Sequence, residues 1–248
     1  MSKFAVIFPA AGRSTRFGDP KQKKIYADLD GRAVWLRAVL PFVNRDDVGQ
    51  MILAISAEDR ELFERRFRPN VAFMNIQVIH GGAERYDTVA RALELVDDSC
   101  DFVAVHDAAR PCVTAPLIDA VFAAAREQGA ALPGVAVSDT LKRVDERKRI
   151  VETVSRSSLY AVQTPQAFRK SLLIEAYARR STLGAAITDD AQLVEAAGHA
   201  CYVVDGSPHN VKITTAADLG IASAILKAGA TQEERPKGPA FSDERRMW

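Results

Sequence analysis

Cysteine is scarce in this chain of 248 residues: there are three, at positions 100, 112 and 201, with no C-x-x-C pair. Such spacing excludes a disulfide framework and a thiolate zinc site, and suits a reducing compartment. No apolar run approaches the roughly 18 residues of a membrane-spanning helix, and no signal-peptide pattern precedes Lys3, so a cytoplasmic protein is expected. Net charge is only +1. No global field therefore favours nucleic acid or a membrane surface, and any anion binding must come from local clusters. Four motifs are also missing: the G-x-x-x-x-G-K-[ST] loop, a G-x-G-x-x-G after the first strand, the G-x-S-x-G elbow and the H-E-x-x-H metal pair. A polyphosphate bound here is held by another kind of loop, and no nucleophile stands out.

What is present begins at once, with KFAVIFPAAGRSTRFGDPK over residues 3–21. Phe4 to Phe8 is a short apolar run without polar alternation, which predicts a strand covered on both faces. Pro9, lacking an amide proton, is expected to stop it. Ala10, Ala11 and Gly12 are small enough for a ligand to approach the backbone, and successive amides in such a loop form an anion-binding concavity. Arg13, Arg16 and Lys21 follow. The combination reads either as a phosphate cradle or as an ordinary strand-to-helix turn with solvated basic residues.

Strand-like and helix-like segments then alternate. Helical spacing covers 33–43, interrupted near Pro41, then about 58–67, 85–96 and 115–128, the last after a Thr114 cap. Apolar runs at 51–55, 76–79, 102–105 and 130–137 read as strands. The order predicts an α/β fold, a doubly wound, mostly parallel, Rossmann-like sheet. The rhythm breaks at 139–157, where Thr140 to Val144 and Ile150 to Val154 flank a charged turn, predicting a protruding β-hairpin arm. An isolated hairpin is marginal in water, so this arm is expected to pack on a second subunit. Helices near 169–180, 189–197 and 216–228 and a strand at 201–204 complete one domain, 1–228. Residues 229–248, rich in charge, Pro and Gly, are expected to form a disordered tail.

In open α/β sheets ligands bind beyond the carboxyl ends of the strands. There the sequence places the first loop, then Gly81-Gly82-Ala83-Glu84-Arg85 with Thr88, His106-Asp107-Ala108-Ala109-Arg110, Asp139-Thr140 and Arg156. Asp107, just past an apolar strand, is a candidate Mg²⁺ ligand, since Mg²⁺ meets phosphates through one or two carboxylates. A turn cap is its alternative role. His106 reads as a packing residue. Cations, small-residue loops and one or two carboxylates fit phosphoryl or nucleotidyl transfer, where catalysis is mostly positioning and charge neutralisation.

Taken in order, Pro9-Ala10-Ala11-Gly12 with Arg16, Pro20-Lys21-Gln22, Gly81-Gly82 with Glu84-Arg85, His106 to Pro111, Asp139-Thr140, Thr164-Pro165-Gln166, Thr188-Asp189 and Asn210 to Thr214 carry a family pattern. From about residue 3 to 226 the chain resembles the 2-C-methyl-D-erythritol 4-phosphate cytidylyltransferases of the non-mevalonate isoprenoid pathway. The resemblance implies a nucleotidyltransferase fold, the substrates CTP and a sugar-alcohol phosphate, Mg²⁺ as cofactor and a homodimer with an exchanged β-arm. By motif position it implies Arg16, Lys21, Arg156 and Lys212 as catalytic. It assigns Ala10, Ala11, Gly12, Gly82, Ala83 and Thr88 to CTP. Asp107, Arg110, Thr140, Arg156 and Thr164 fall to the acceptor, and Asp107 to the metal as well. Arg156 and Thr140 would act in the neighbouring subunit. The chain departs from the pattern after Gln22, where Lys23-Lys24 intervene, and at Ala83 and His209, where acids are common. Two other readings stay open: a cytidylyltransferase for another polyol phosphate, such as ribitol 5-phosphate, and a catalytically silent nucleotide-binding protein.

Overall fold

A computed structural model of the protein describes residues 2–18, 23–180 and 187–233. Its centre is β1 (Lys3–Ala10), flanked in parallel by β4 (Val48–Ile55) and β6 (Cys100–Val105), with β5 (Ile76–His80) outside β4. The four strands predicted up to residue 105 therefore exist, and all four run parallel.

Pro9 does not stop β1, which runs on to Ala10 and keeps Pro9 in register with Ala54. The reason is which neighbour its missing amide would face. The Ile7 carbonyl accepts from the His106 N–H at 2.9 Å. Backbone groups alternate sides along a strand, so Pro9 also faces the β6 side. There the β6 pairing has already ended, at Ile7 opposite Val105.

The other half of the eight-stranded sheet is mixed. β7 (Ala130–Ala136) pairs in parallel with β12 (Tyr202–Asp205) and antiparallel with β10 (Tyr160–Val162) and β11 (Gln166–Arg169); β11 also joins β6. Neither β10 nor β11 is evident in the sequence. A small β2 (Asp28–Leu29) and β3 (Arg32–Ala33) hairpin forms a separate sheet. Among the described residues no helix is long and apolar enough to cross a membrane.

Helices cover both faces, as the unbroken apolar strands require. Phe4, Val6 and Phe8 point to a face closed by α1 (Val34–Val39), α2 (Arg60–Phe73) and α4 (Ala115–Gln128), through Trp35, Phe63 and Phe122. Ile7, Ile52 and Val105 point the other way. α3 (Arg85–Leu93), α5 (Lys170–Ala178) and α6 (Asp190–Ala196) cover them through Val89, Leu173 and Val194. Thr114 stands at the N-cap of α4, but its side chain makes no capping hydrogen bond. α7 (Ala217–Glu233) extends five residues into the stretch expected to be a disordered tail; residues 234–248 lie outside the described residues. The arm forms as expected, β8 (Leu141–Val144) against β9 (Ile150–Val154), and as a separate two-stranded sheet.

Candidate active site

β6 and β1 are neighbours and β5 lies one strand further, beyond β4, and the loops that follow β1 and β5 meet. Gly81 is what lets the first two approach. A Cβ on Gly81 would lie 2.4 Å from the Ala11 Cβ and 2.9 Å from the Thr88 hydroxyl oxygen. Its neighbour Gly82 is equally tight, since a Cβ there would meet the Asp87 Cβ at 2.3 Å. The Gly82 N–H donates to Thr88 Oγ1 at 2.9 Å, and the Thr88 hydroxyl donates to the Glu84 carbonyl at 3.0 Å. Glu84 and Asp87 close a reciprocal capping box at the start of α3. Of the residues read as the nucleotide cradle, Ala10 ends β1 with Ala11 and Gly12 after it, and Gly82 precedes α3, which carries Thr88; the two segments adjoin, and Ala83 is exposed beside them.

After β6, Asp107 is buried among cations. Its Oδ2 lies 2.6 Å from Lys212 Nζ and 3.8 Å from Arg110 Nε, and its Oδ1 lies 3.5 Å from Arg85 Nε. Burial opposes ionisation, but Lys212, Arg85 and Arg110 outweigh it and hold the carboxyl far below the usual carboxylate range. Asp107 is therefore an anion across the neutral range. Lys212 is drawn into the site from the segment before α7.

Thr164 joins the same cluster. Its Oγ1 accepts from the Asp107 N–H at 3.0 Å and lies 3.2 Å from His106 Nδ1. His106 Nε2 lies 3.2 Å from the Arg110 carbonyl, which can only accept. So Nε2 carries the proton, and Nδ1 accepts from the Thr164 hydroxyl. Burial pushes the His106 pKa down to about 4, which keeps the ring neutral. His106 packs edge-on to Phe8, so it is the packing and hydrogen-bonding residue expected. Arg110 reaches on to the Asn210 carbonyl at 2.7 Å, and Asn210 Nδ2 donates to the Thr164 carbonyl at 2.9 Å. Asp107, Arg110, Thr164 and Lys212 are thereby one hydrogen-bonded unit.

The cation from the first loop is more than one residue. Lys21 lies outside the described residues. Lys24, which reads in the sequence as part of an intervening pair, lies within electrostatic reach of the cluster. Burial lowers its pKa most, the nearby charges of Lys212 and Arg16 push the same way, and Asp107 and Asp218 oppose them. Arg16, on a short 3-10 turn (Thr15–Phe17), is thus within electrostatic reach of Lys24. Lys23 turns away, to Asp59 at 2.8 Å and Ser56 at 2.7 Å. Sequence reading gave Lys24 no place in the cluster. Its one available signal was position, a lysine just before the buried Ile25-Tyr26 pair. It also left Arg85 and Asp190 without a role; these pair at 2.8 Å behind Asp107.

Thr140 and Arg156 do not reach this cluster. Both are exposed on the arm, and their side chains make no hydrogen bond or ion pair among the described residues. For a metal, no group of three or more His, Cys, Asp or Glu side chains assembles among the described residues. Asp107 stands among the cations at the end of β6, and its Oδ1 is the less engaged oxygen. One carboxylate fits Mg²⁺, which keeps waters and takes phosphate oxygens, better than a metal needing an all-protein cage.

Comparison with known proteins places the chain in a family. The sequence model of the 2-C-methyl-D-erythritol 4-phosphate cytidylyltransferase family, IspD, matches residues 4–228. The protein of that name from Rhodopirellula baltica is 43% identical over 237 residues, covering 90% of this chain and 94% of its own. The one from Alkaliphilus oremlandii is 35% identical over 228 residues, covering 92% and 96%. The crystal structure of the Thermus thermophilus enzyme superposes with a TM-score of 0.73 at 32% identity, over 90% of this chain and 98% of that one. With the family match spanning almost the whole described fold, and relatives this similar over nine-tenths of their length, the chain belongs to the 2-C-methyl-D-erythritol 4-phosphate cytidylyltransferase family.

Proposed function

We infer that this enzyme joins CTP to 2-C-methyl-D-erythritol 4-phosphate, releasing pyrophosphate and forming 4-diphosphocytidyl-2-C-methylerythritol for isoprenoid precursor synthesis. The observation that carries the reading is the Asp107 carboxylate clasped by Lys212, Arg85 and Arg110, next to glycine-tightened loops suited to a triphosphate, in a chain of this family.

The chemistry follows from charge. An oxygen of the acceptor phosphate attacks the α-phosphorus of CTP, and the bond from that phosphorus to the bridging oxygen breaks to release pyrophosphate. A phosphate monoester is mostly dianionic at neutral pH, so no general base is required. Two anions must be brought together and negative charge accumulates on the transferring group, so the reaction needs preorganised cations. Lys212 supplies one from the Asp107 side. Arg16, Lys21 and Lys24 would supply others from the first loop. Ala10, Ala11, Gly12, Gly82 and Ala83 hold the nucleotide, on a loop that the Thr88 hydroxyl fixes through Gly82 and Glu84. Asp107 and Arg110 hold the acceptor, and Thr164 fixes Asp107 through its N–H. Asp107 would hold Mg²⁺, and the ion would supply further neutralisation of the leaving pyrophosphate.

The arm supports a homodimer. Val144, Ile150 and Val151 are about half exposed or more (48%, 60% and 60%), as is expected of a hairpin that exchanges with a second copy. Arg156 and Thr140 would then enter the partner's site to hold the acceptor phosphate. Three free thiols fit a cytoplasmic setting. Pyrophosphate release from CTP, assayed with methylerythritol phosphate and with ribitol phosphate, tests the assignment. Turnover of ribitol phosphate alone would replace the acceptor, and tight CTP binding without turnover of either would make the chain a nucleotide-binding protein.

A further inference from the structure

Behind Asp107 runs a line of buried polar groups that the transfer itself does not use. Asp190, the first residue of α6, is fully buried. Its Oδ1 accepts from the Tyr177 hydroxyl at 2.6 Å, and its Oδ2 accepts from Arg85 at 2.8 Å. The Asp190 and Ala191 amides donate to Gln166 Oε1 at 3.2 and 3.1 Å, while Gln166 Nε2 donates to Asp189 at 2.9 Å. Backbone and side chain of Asp190 are therefore both held. A buried carboxylate persists only where it is paired and hydrogen-bonded, and the charged partner of this one is Arg85.

Arg85 uses different nitrogens for its two carboxylates. One terminal nitrogen meets Asp190, and Nε meets Asp107 Oδ1 at 3.5 Å. On the far side, Lys212 and Arg110 both draw on Asp107 Oδ2. With a cation on each oxygen the plane of the Asp107 carboxylate is determined. Without Arg85 the group would turn wholly toward Lys212. We propose that Arg85 is a positioning residue, itself set by Asp190 and Tyr177, that determines the direction in which Asp107 presents its carboxylate to the acceptor and the metal. This rests on the transfer reaction assigned above. A lysine could not do the same work, because its single ammonium lacks the fork that spans both carboxylates.

Turnover by the unsubstituted enzyme comes first; its failure would count against the assigned reaction, not against this role. Tyr177→Phe then removes the hydroxyl that donates to Asp190. It should lower kcat about 3- to 10-fold, with CTP affinity by calorimetry and the unfolding temperature little changed. Arg85→Lys should lower kcat about 10- to 100-fold, as loss of support for a ligating carboxylate does, and should raise KM for the acceptor more than the CTP dissociation constant. In the double variant the effect of Tyr177→Phe should vanish, because Tyr177 acts through Arg85. Asp190→Asn gives a second entry to the same line and should show the same dependence. The proposal is overturned if folded Tyr177→Phe and Asp190→Asn keep the parental kcat, or if Tyr177→Phe costs as much in the Arg85→Lys background as alone. It is equally overturned if Arg85→Lys loses CTP affinity in step with kcat, which would put Arg85 on the nucleotide.

Discussion

Gly81→Ala adds one methyl group where the first and third parallel strands deliver their loops. The new Cβ would sit 2.4 Å from the Ala11 Cβ and 2.9 Å from Thr88 Oγ1. Carbon atoms rest about 3.5–4.0 Å apart, so the loops must part by roughly 1–1.5 Å. Neither side yields freely. The Gly81 N–H donates to the Ile55 carbonyl at 2.8 Å, the Gly81 carbonyl accepts from Arg91 at 2.7 Å, and Thr88 is tied to Gly82 and Glu84. Overpacking of this kind costs about 1–3 kcal/mol, which in a chain of this size lowers the unfolding temperature by roughly 2–12 °C. A misplacement near 1 Å in a positioning loop costs about 10²-fold in rate. We therefore expect kcat/KM for CTP to fall roughly 10- to 100-fold, with KM for the acceptor changed far less. Steady-state kinetics with each substrate varied, alongside thermal unfolding, measures both. The double variant Gly81→Ala/Ala11→Gly removes the nearest obstacle and should recover most of the loss. If Gly81→Ala folds and keeps kcat/KM for CTP within about two-fold of the parent, the two loops do not form one cradle and the reasoning fails.

Lys212→Ala should reduce the chemical step about 10²–10³-fold, as loss of one preorganised donor does, while CTP affinity by calorimetry stays near the parental value; an unchanged single-turnover rate would take Lys212 out of the site. Lys24→Gln should show a loss of the same order, and a parental rate would return the role to another cation of the first loop. His106 is buried neutral with a pKa near 4 against an ordinary 6.5. Between those values the unfolded chain binds the proton more readily, so stability should decline as pH falls from 6.5 to 4, by about 3 kcal/mol from this group. Denaturant unfolding across that range should show a shallower slope in His106→Gln than in the parent, and equal slopes would mean the ring is not buried neutral. Dilution of the enzyme should lower activity and raise KM for the acceptor more than for CTP. Sedimentation over the same concentrations would locate the dimer transition, and a fully active monomer would show that Arg156 does not act across subunits.

Part of this architecture is written in local pattern. Phe4 to Phe8, Met51 to Ile55 and Phe102 to Val105 are continuous apolar runs, and a run covered on both faces belongs in a parallel sheet whatever its neighbours. The arm was legible for the opposite reason, since β-branched residues flank a charged turn with no helix to cover them. The small-residue loops and Asp107 were legible because short spacings after a strand carry their meaning within a few residues. What local pattern could not supply are contacts between distant segments. β10 and β11 are three and four residues long, too short for a period, and become strands only because β7 and β6 offer edges to pair with. Pro9 stays in β1 because β6 has ended beside it. No spacing rule marks Lys24 as part of the charged cluster; the charges of Lys212, Arg16 and Asp107 around it do. Asp190 acquires its meaning only where Arg85 and Tyr177, from two other helices, close on it in the interior. A carboxylate's role is set by which charges surround it and how much water is excluded, and both are properties of the folded interior rather than of any stretch of chain.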